Sequence, residues 1–453
     1  MPAPDIIAAV STPPGRGGIG VVRVSGRDLR LLAEKVVGSM PKPRYATLSH
    51  FLDEDGQVID QGIALYFPAP HSYTGEDVLE FQGHGGPIVM SLLLASCISA
   101  GARLAEPGEF TLRAFFNDKL DLAQAESVAD LIDAGTREAA RSALRSLNGE
   151  FSSLIHEIVS GLTDLRMIVE AWLDFPEEDI DVLAQPHIDE RLGDIRGRLD
   201  EVFLSARRGS LLREGVSVVL VGKPNVGKSS LLNQLTGEEA AIVTEVPGTT
   251  RDTIERPIEI KGVPMHVVDT AGLRETEDLI ESIGIERTRS AIEKAALALV
   301  VLDCREGLAQ EDRLIIESLP ANLQRVYVYN KIDLMDHALP AWNGPTSSGE
   351  TEIYVSAKTG AGMEALRDAV LDLAGWNLES GGGVFMARQR HLVALSEATG
   401  HLTHADDLAG SGKPLELLAE ELRLAQIALS SITGEFTADD LLGEIFSRFC
   451  IGK

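Results

Sequence analysis

The sequence predicts a mixed α+β segment followed by a helical domain that carries an inserted, open α/β unit. Three observations predict it. From Asp5 to about Asp118, short apolar runs such as VVRVSG, GIALYFPAP and DVLEFQGHGG alternate with Gly and Pro, the text of strands and turns. From Lys119 to about Arg213 apolar residues recur at helical spacing, and they do so again after Glu379-Ser-Gly-Gly-Gly. Between these stretches, from Val216 to about Ala374, strand and helix patterns alternate, as in a parallel sheet with crossover helices.

In chain order, helices are expected around 28–38 and 87–101 within the first segment. Leu122, Ala125, Ala129 and Ile132 mark one helical stripe; Leu144, Leu147, Phe151, Leu154, Ile158, Leu162 and Leu165 mark another. The pattern is interrupted at Phe175-Pro176. Thr437-Ala-Asp-Asp reads as an N-cap with an acid three residues later, opening the last helix. Insertion is tolerated where the ends of a doubly wound unit lie close together. The expected domains are therefore 1–118 (α+β), 119–215 (helical, first part), 216–375 (α/β) and 376–453 (helical, second part).

A chain of 453 residues is too long for one core. Its 44% hydrophobic and 24% charged residues exclude disorder and fibre. The apolar run Ala295–Leu302 is eight residues long, far short of the roughly 20 that span a bilayer. MPAPDIIAAV lacks the basic-then-apolar order of a secretory leader. Cys97, Cys304 and Cys450 are too scattered for a disulfide framework or a structural zinc site, so a cytoplasmic location is expected. The net charge of −28 excludes a protein that coats nucleic acid by bulk electrostatics. Residues 1–50, however, hold seven Lys/Arg against three acids, a local +4 that leaves −32 elsewhere. Such a segment either holds one RNA or small anion or is scattered surface charge.

VSVVLVG runs into Gly222-Lys-Pro-Asn-Val-Gly-Lys228-Ser229 and then a helical stretch. The G-x-x-x-x-G-K-[ST] pattern thus stands in the strand–loop–helix context it requires. Glycines let backbone N–H groups converge on phosphate oxygens, and the helix N-terminus adds partial positive charge. Lys228 is placed to reach the β- and γ-phosphates and Ser229 to hold Mg²⁺; Gly227 and Ser230 flank them. Asp269-Thr-Ala-Gly272 supplies a carboxylate for the Mg²⁺ shell and an N–H for the γ-phosphate. In Asn330-Lys331-Ile-Asp333, the aspartate can accept two N–H bonds from guanine, a pattern adenine does not offer. Ser356-Ala357-Lys358 lines the base pocket. Each motif follows a strand-like run, at the edge where open α/β sheets bind ligands. Together they resemble the GTPase superfamily, and GTP is the expected ligand.

The segment Ile242–Asp252 looks like switch I, and one of its paired threonines, Thr250 by resemblance, should close over Mg²⁺. After D-x-x-G stands Leu273, where Ras-like GTPases carry a water-orienting Gln. Another group must act, and Arg274, Glu275, Glu277, Asp278 and Glu281 follow. Asn225 offers an amide oxygen beside the phosphates that can ligate a monovalent cation; the plain alternative is a turn residue.

Other patterns have blander readings. Gly15-x-Gly17-x-x-Gly20 leads into a strand instead of a helix, so it fails the dinucleotide context and is either a tight turn near a ligand or a plain hairpin. His84-Gly-Gly resembles a lipase oxyanion loop, but the chain has no G-x-S-x-G elbow; a packed turn or close backbone approach is expected. Glu177–Asp181 reads as a solvated helix start after Pro176, with cation binding as its alternative. Arg388-Gln-Arg390-His391 reads as a helix start, with RNA contact as its alternative.

P-N-x-G-K-S-S-L, P-G-T-T-R-D, D-T-A-G-L-R, the final Cys450-Ile-Gly-Lys453, and the N-terminal Thr12–Gly20, Phe81–Gly86 and Asn117–Leu122 together resemble the MnmE (TrmE) family of tRNA-modification GTPases, along the whole chain. The resemblance implies a P-loop GTPase domain inserted in a helical domain, preceded by an α+β folate-binding-like domain that makes a constitutive homodimer. It implies a flavoprotein partner of the MnmG/GidA type, in a heterotetramer, and no membrane. The pair would add an aminomethyl-type group at C5 of the wobble uridine of certain tRNAs. The one-carbon unit would come from a tetrahydrofolate derivative in its 5-formyl or methylene form. It further implies K⁺-dependent pairing of the GTPase domains, with Asn225, Thr244, Val246 and Thr249 as K⁺ ligands. Glu281 would be the general base or water-positioning carboxylate, acting with Lys228 and Thr250; Cys450 would have a functional role; Arg23, Glu80, Lys119 and Lys453 would contact folate. Two other functions are compatible with a GTPase domain. A ribosome-assembly GTPase would normally add an RNA-binding module such as a KH domain, and no G-x-x-G loop in a βα context stands outside the P-loop region. A GTP-dependent dimerisation scaffold would bind no folate.

Overall fold

Strands β1 (Ile7–Val10), β2 (Gly17–Gly26), β3 (Thr47–Leu52), β4 (Val58–Phe67), β5 (Asp77–Gly85) and β6 (Arg103–Leu104) form one sheet in the order β3-β4-β5-β2-β1-β6. They belong to a computed structural model, which describes residues 5–174, 185–236, 255–269, 292–335, 342–345, 351–376, 383–409, 414–435, 439–447, 449–450 and 452. The chain divides into two compact units. The first comprises Met1–Ala129, Ser146–Ile195 and Glu397–Lys453; the second, Asp130–Arg145 and Arg196–Ser396.

In the first unit, side chains alternate across the sheet because successive strand residues point to opposite faces. Ala8, Val22, Val24, Phe51, Leu79 and Phe81 face helices α1 (Arg30–Val37) and α2 (Pro87–Ser99), which bring Leu32, Val36, Leu93 and Cys97. On β1, Ile7 and Ala9 point the other way and pack with Ala105 and Phe110. Phe110 belongs to a helix the sequence did not announce, α3 (Glu109–Phe116). Eight residues behind a glycine with φ 68° carry little intrinsic signal; tertiary ion pairs hold it instead. Arg113, 5% exposed, donates to Asp5 Oδ1 at 2.7 Å, Glu76 Oε2 at 2.9 Å and Glu109 Oε1 at 2.9 Å, and Arg103 pairs with both Asp5 and Glu109. Burial pushes the Asp5 and Glu109 carboxyls up, but the two guanidiniums outweigh it and hold both below the usual range.

That network sets a stability prediction. Arg113→Met leaves several carboxylates without their buried cation, and breaking a buried pair from one side costs about 3–5 kcal/mol. Urea unfolding of the variant is expected to show a loss of that order, with Arg113→Lys recovering only part because it lacks the planar fork. Since the folded carboxyls titrate below their unfolded values, their contribution is complete above about pH 4 to 5 and is lost as pH falls further. The acid-induced drop in stability should therefore be smaller in the variant than in the wild type.

The glycine pattern at the N-terminus is explained by strand pairing: Gly17 lies opposite Gly85 and Gly20 opposite Gly83 across a bulge. A Cβ on Gly85 would stand 2.7 Å from the Ile19 carbonyl oxygen, so the close backbone approach expected around His84 is present. The exposed His84 ring meets Asp60 Oδ1 at 2.8 Å.

Helices α4 (Leu122–Ile132), α5 (Arg137–Leu147), α6 (Glu150–Asp174) and α7 (Gln185–Glu214) follow. Leu122, Ala125, Phe151, Ile158, Leu162 and Leu165 are buried as their spacing predicts, but Ile132, Leu144 and Leu154 are 46%, 47% and 37% exposed. Here the covered faces are built instead from Ala139 and Ala143 on α5 and Ile155 on α6; small residues allow close packing that a count of large apolar side chains misses.

The second unit is built on β7 (Val216–Val221), β8 (Glu255–Ile260), β9 (Val263–Asp269), β10 (Leu297–Asp303), β11 (Gln324–Asn330), β12 (Trp342–Pro345) and β13 (Thr351–Tyr354), in the order β12-β13-β11-β10-β7-β9-β8. The five inner strands are parallel; β8 and β12 run antiparallel at the edges. The run Leu297–Asp303 is buried throughout as a central strand, as expected where helices cover both faces. Helices α8 (Lys228–Thr236), α9 (Gln310–Glu317) and α10 (Met363–Leu373) belong to this unit; α11 (Gln389–Ala409), α12 (Leu415–Thr433) and α13 (Asp439–Ser447) follow, and α12 packs along α6. Thr437, the expected cap of the last helix, and Glu177–Asp181 lie outside the described residues. Among the described residues no helix is long and apolar enough to cross a membrane.

Candidate functional site

Because β7, β9, β10, β11 and β13 are parallel, the loops after Val221, Asp269, Asp303, Asn330 and Tyr354 leave the same edge of the sheet. After β7 the chain turns through two glycines that nothing larger can replace. Gly222 has φ 147°, and a Cβ there would run into the Val301 carbonyl; Gly227 has φ 101°, and a Cβ would run into the Asn330 amide. The loop closes on Lys228, first residue of α8, whose Nζ donates to the carbonyls of Gly222 at 2.7 Å and Lys223 at 3.0 Å. An ammonium inside a ring of backbone at a helix N-terminus is an anion cradle. Ser229 and Ser230 are exposed on the first turn. Asn225 is exposed and left-handed at φ 65°.

Asn330, 2% exposed, ties three loops together. Its amide nitrogen donates to the Val226 carbonyl at 2.8 Å, and its amide oxygen accepts from the N–H groups of Lys331 at 2.8 Å and Ala357 at 3.0 Å. Lys331 reaches the Asn225 carbonyl at 2.7 Å. The buried Ser356 hydroxyl donates to Asp333 Oδ1 at 2.6 Å, which orients a carboxylate that is otherwise exposed. Lys358 is exposed on the same loop. Asn330, Lys331, Asp333, Ser356 and Ala357 are thus joined into one corner against the Gly222–Lys228 loop.

Asp303 was missed from the sequence. It is 5% exposed, takes Arg305 through both oxygens at 2.9 and 2.6 Å, and holds the Lys331 ammonium at 2.9 Å. The Arg305 guanidinium, with Lys331 behind it, keeps this carboxyl far below the usual range. The signal that would have found it is a carboxylate ending an apolar strand, the same position Asp269 occupies on β9. Only the backbone of Asp269 is described; Thr244, Val246, Thr249, Thr250, Gly272 and Glu281 lie outside the described residues.

The first unit holds the second group of expected site residues. Arg23 on β2 lies directly opposite Glu80 on β5, and the pair closes at 2.9 Å. The Arg23 guanidinium also lies over the rings of Tyr73 and Phe110, 5.4 and 5.8 Å from their centroids. Lys119 lines a cavity of about 440 Å³ with Phe116, Asp121, His156 and Glu435, and its side chain also passes close to Gly75, two residues from Tyr73. Lys453 is outside the described residues, but its neighbour Gly452 accepts a hydrogen bond from Ser11 Oγ at 3.0 Å, beside β1. Cys450 is exposed, and its carbonyl accepts from the Gly108 N–H at 3.4 Å. Arg388 is committed to Asp130 at 2.8 Å, and its N–H donates to His391 Nδ1 at 3.1 Å; this stretch is the start of α11.

Comparison with known proteins covers the chain end to end. A family profile described as the GTP-binding protein TrmE N-terminus matches residues 6–119, and one described as the MnmE helical domain matches residues 122–450. A protein of Nitrosospira multiformis named tRNA modification GTPase MnmE is 64% identical over 453 residues, all of both chains. The protein of that name from Nitrosomonas europaea is 61% identical over 454 aligned residues, again all of both chains. That of Neisseria meningitidis serogroup A is 58% identical over 99% of this chain and 98% of its own. The chain belongs to the MnmE (TrmE) family.

Proposed function

We propose that this chain is a GTP hydrolase of tRNA modification: it acts with an MnmG/GidA-type flavoprotein and a tetrahydrofolate-derived one-carbon unit on C5 of the wobble uridine. The observation that carries the GTP part is the joined corner in which Asn330 links the phosphate loop, Lys331 and Ala357. Family membership over the whole chain supports the rest. Lys228, released from the Gly222 and Lys223 carbonyls, pairs with the β- and γ-phosphates, and Asp333 accepts the guanine N–H groups. Ser229, exposed on the first turn of α8, is assigned with Thr250 to hold Mg²⁺. Asn225, with Thr244, Val246 and Thr249, suits K⁺. The bound cations supply positive charge at the β- and γ-phosphates. Arg23, Glu80, Lys119 and Lys453 are assigned to folate; Glu80 uses Oε1 for Arg23, and Oε2 remains to accept from a pterin edge.

Two measurements test this reading. Cells lacking the protein should contain tRNA without the C5-substituted wobble uridine, and the wild-type gene should restore it; unchanged nucleoside content would overturn the assignment. Within the GTPase step, Glu281 is proposed to position the attacking water, directly or through a second water. Glu281→Ala is expected to lower kcat about 10²-fold with nucleotide affinity unchanged, because a carboxylate acting only on water leaves the ground state alone. Normal hydrolysis by this variant moves the role to Arg251 or Glu275.

A further inference from the structure

We propose that the basic corner around Arg30, Lys42 and Tyr45 in the first unit is an RNA-contact surface, with phosphates against the two cations and a base stacked on the tyrosine. This rests on the tRNA reading above and adds a place of contact to it. Arg30 and Lys42 line one open cavity of about 560 Å³ with Asp28, Met40, Tyr66 and Asp77. Both cations are exposed, and neither has a carboxylate partner among the described residues. The two acids are engaged locally: Asp28 Oδ1 accepts from the Arg30 N–H at 3.3 Å, and Asp77 Oδ1 accepts from the Tyr66 hydroxyl at 3.0 Å and the Ala69 N–H at 2.9 Å. Arg44 adds a third cation: its N–H donates to the Tyr66 carbonyl at 2.8 Å, and its guanidinium lies over Phe67, 5.7 Å from the ring centroid.

Tyr45 decides the kind of partner. The residue is 61% exposed, and its ring carries the Lys42 ammonium 5.6 Å from its centroid. An acidic protein segment would need only the cations; single-stranded RNA uses cations for phosphates and exposed aromatic faces for bases. The corner gathers three of the seven Lys/Arg of residues 1–50, Arg30, Lys42 and Arg44.

The test is fluorescence anisotropy of the full chain with unmodified tRNA across a KCl series, with GTP hydrolysis as the check on the second unit and urea unfolding as the check on the first. Arg30→Gln with Lys42→Gln is expected to weaken binding at least ten-fold at low salt and to flatten the log–log salt slope by roughly 1 to 1.5, near 0.7 per lost single-strand phosphate contact. Tyr45→Ala should weaken binding about five-fold or more with the slope unchanged, and Tyr45→Phe should bind as the wild type does. If the double variant fails either check, Lys42→Gln alone, at an exposed position, decides by half the change in slope. Variants that pass both checks and bind tRNA with wild-type affinity and slope overturn the surface. Unchanged RNA binding with lost flavoprotein binding also overturns it, in favour of an acidic protein segment. No tRNA binding by the wild type would instead remove the reading on which the surface rests.

Discussion

Replacing Asn225 is expected to abolish the difference between K⁺ and Na⁺ in GTP hydrolysis, with a fall of about 10²–10³-fold in the K⁺-supported rate, the usual effect of losing one transition-state charge stabiliser. The position sits at the rim of the phosphate loop, with φ 65° and its carbonyl held by Lys331 at 2.7 Å. Asparagine tolerates the left-handed region better than most residues, so a plain turn requirement also accounts for it, and the choice of variants must separate the two. Asn225→Gly keeps the backbone and deletes the amide oxygen; a turn residue would survive that change, a cation ligand would not. Asn225→Ala deletes the oxygen and adds backbone strain. Both should lose K⁺ stimulation and keep most of the GTP affinity, because Lys228 and the Asn330–Asp333 corner remain. Equal wild-type rates in the two salts, or a glycine variant that still responds to K⁺, would remove Asn225 from the cation site.

The gathering of the expected nucleotide-binding motifs was legible because their signal is local: each is a short segment ending a strand, and parallel pairing alone brings Lys228, Asn330 and Ser356 to one edge. What was not legible depends on pairing across distance. Arg113 finds Asp5 across 108 residues, and nothing in the text of α3 announces that partner. Asp303 shares the strand-end position of the recognised motifs, but its role appears only once Lys331 and Arg305 are seen on it. Periodicity located helices α4 to α6 and misjudged parts of their buried faces, because Ala139 and Ala143 pack where larger residues were sought. In the N-terminal region, Arg23 and Glu80 meet across adjacent strands, a pairing that the spacing of 57 residues does not announce. A sequence resemblance transfers identities without saying which of them share a pocket.

The C-terminal tail is expected to separate the two activities. Deleting Cys450–Lys453 should abolish tRNA modification and weaken folate binding while leaving K⁺-stimulated GTP hydrolysis close to wild type. The tail docks within the first unit: Phe446 and Phe449 are buried with Leu122 and Leu442, the Cys450 carbonyl takes the Gly108 N–H, and the Gly452 carbonyl takes the Ser11 hydroxyl. Gly452 has φ 97°, and a Cβ there would lie 2.5 Å from the Val10 carbonyl oxygen. The contact therefore requires glycine on two grounds, space and backbone conformation. Val10 pairs with Val22, and the next pair along is Ala9 with Arg23, so the tail ends at the end of β1, whose neighbour β2 carries Arg23. Gly452→Val keeps every residue of the tail but cannot keep this docking. It should reproduce the modification defect of the deletion, while Ser11→Ala, which removes one partly buried hydrogen bond worth about 1 kcal/mol, should reduce modification only mildly. Because Phe446 and Phe449 remain in all three proteins, the buried end of the chain stays anchored, and urea unfolding reports on the fold of the first unit. A truncated protein that modified tRNA at the full rate would place the chemical site away from the tail and leave the assignment of Lys453 and Cys450 without support.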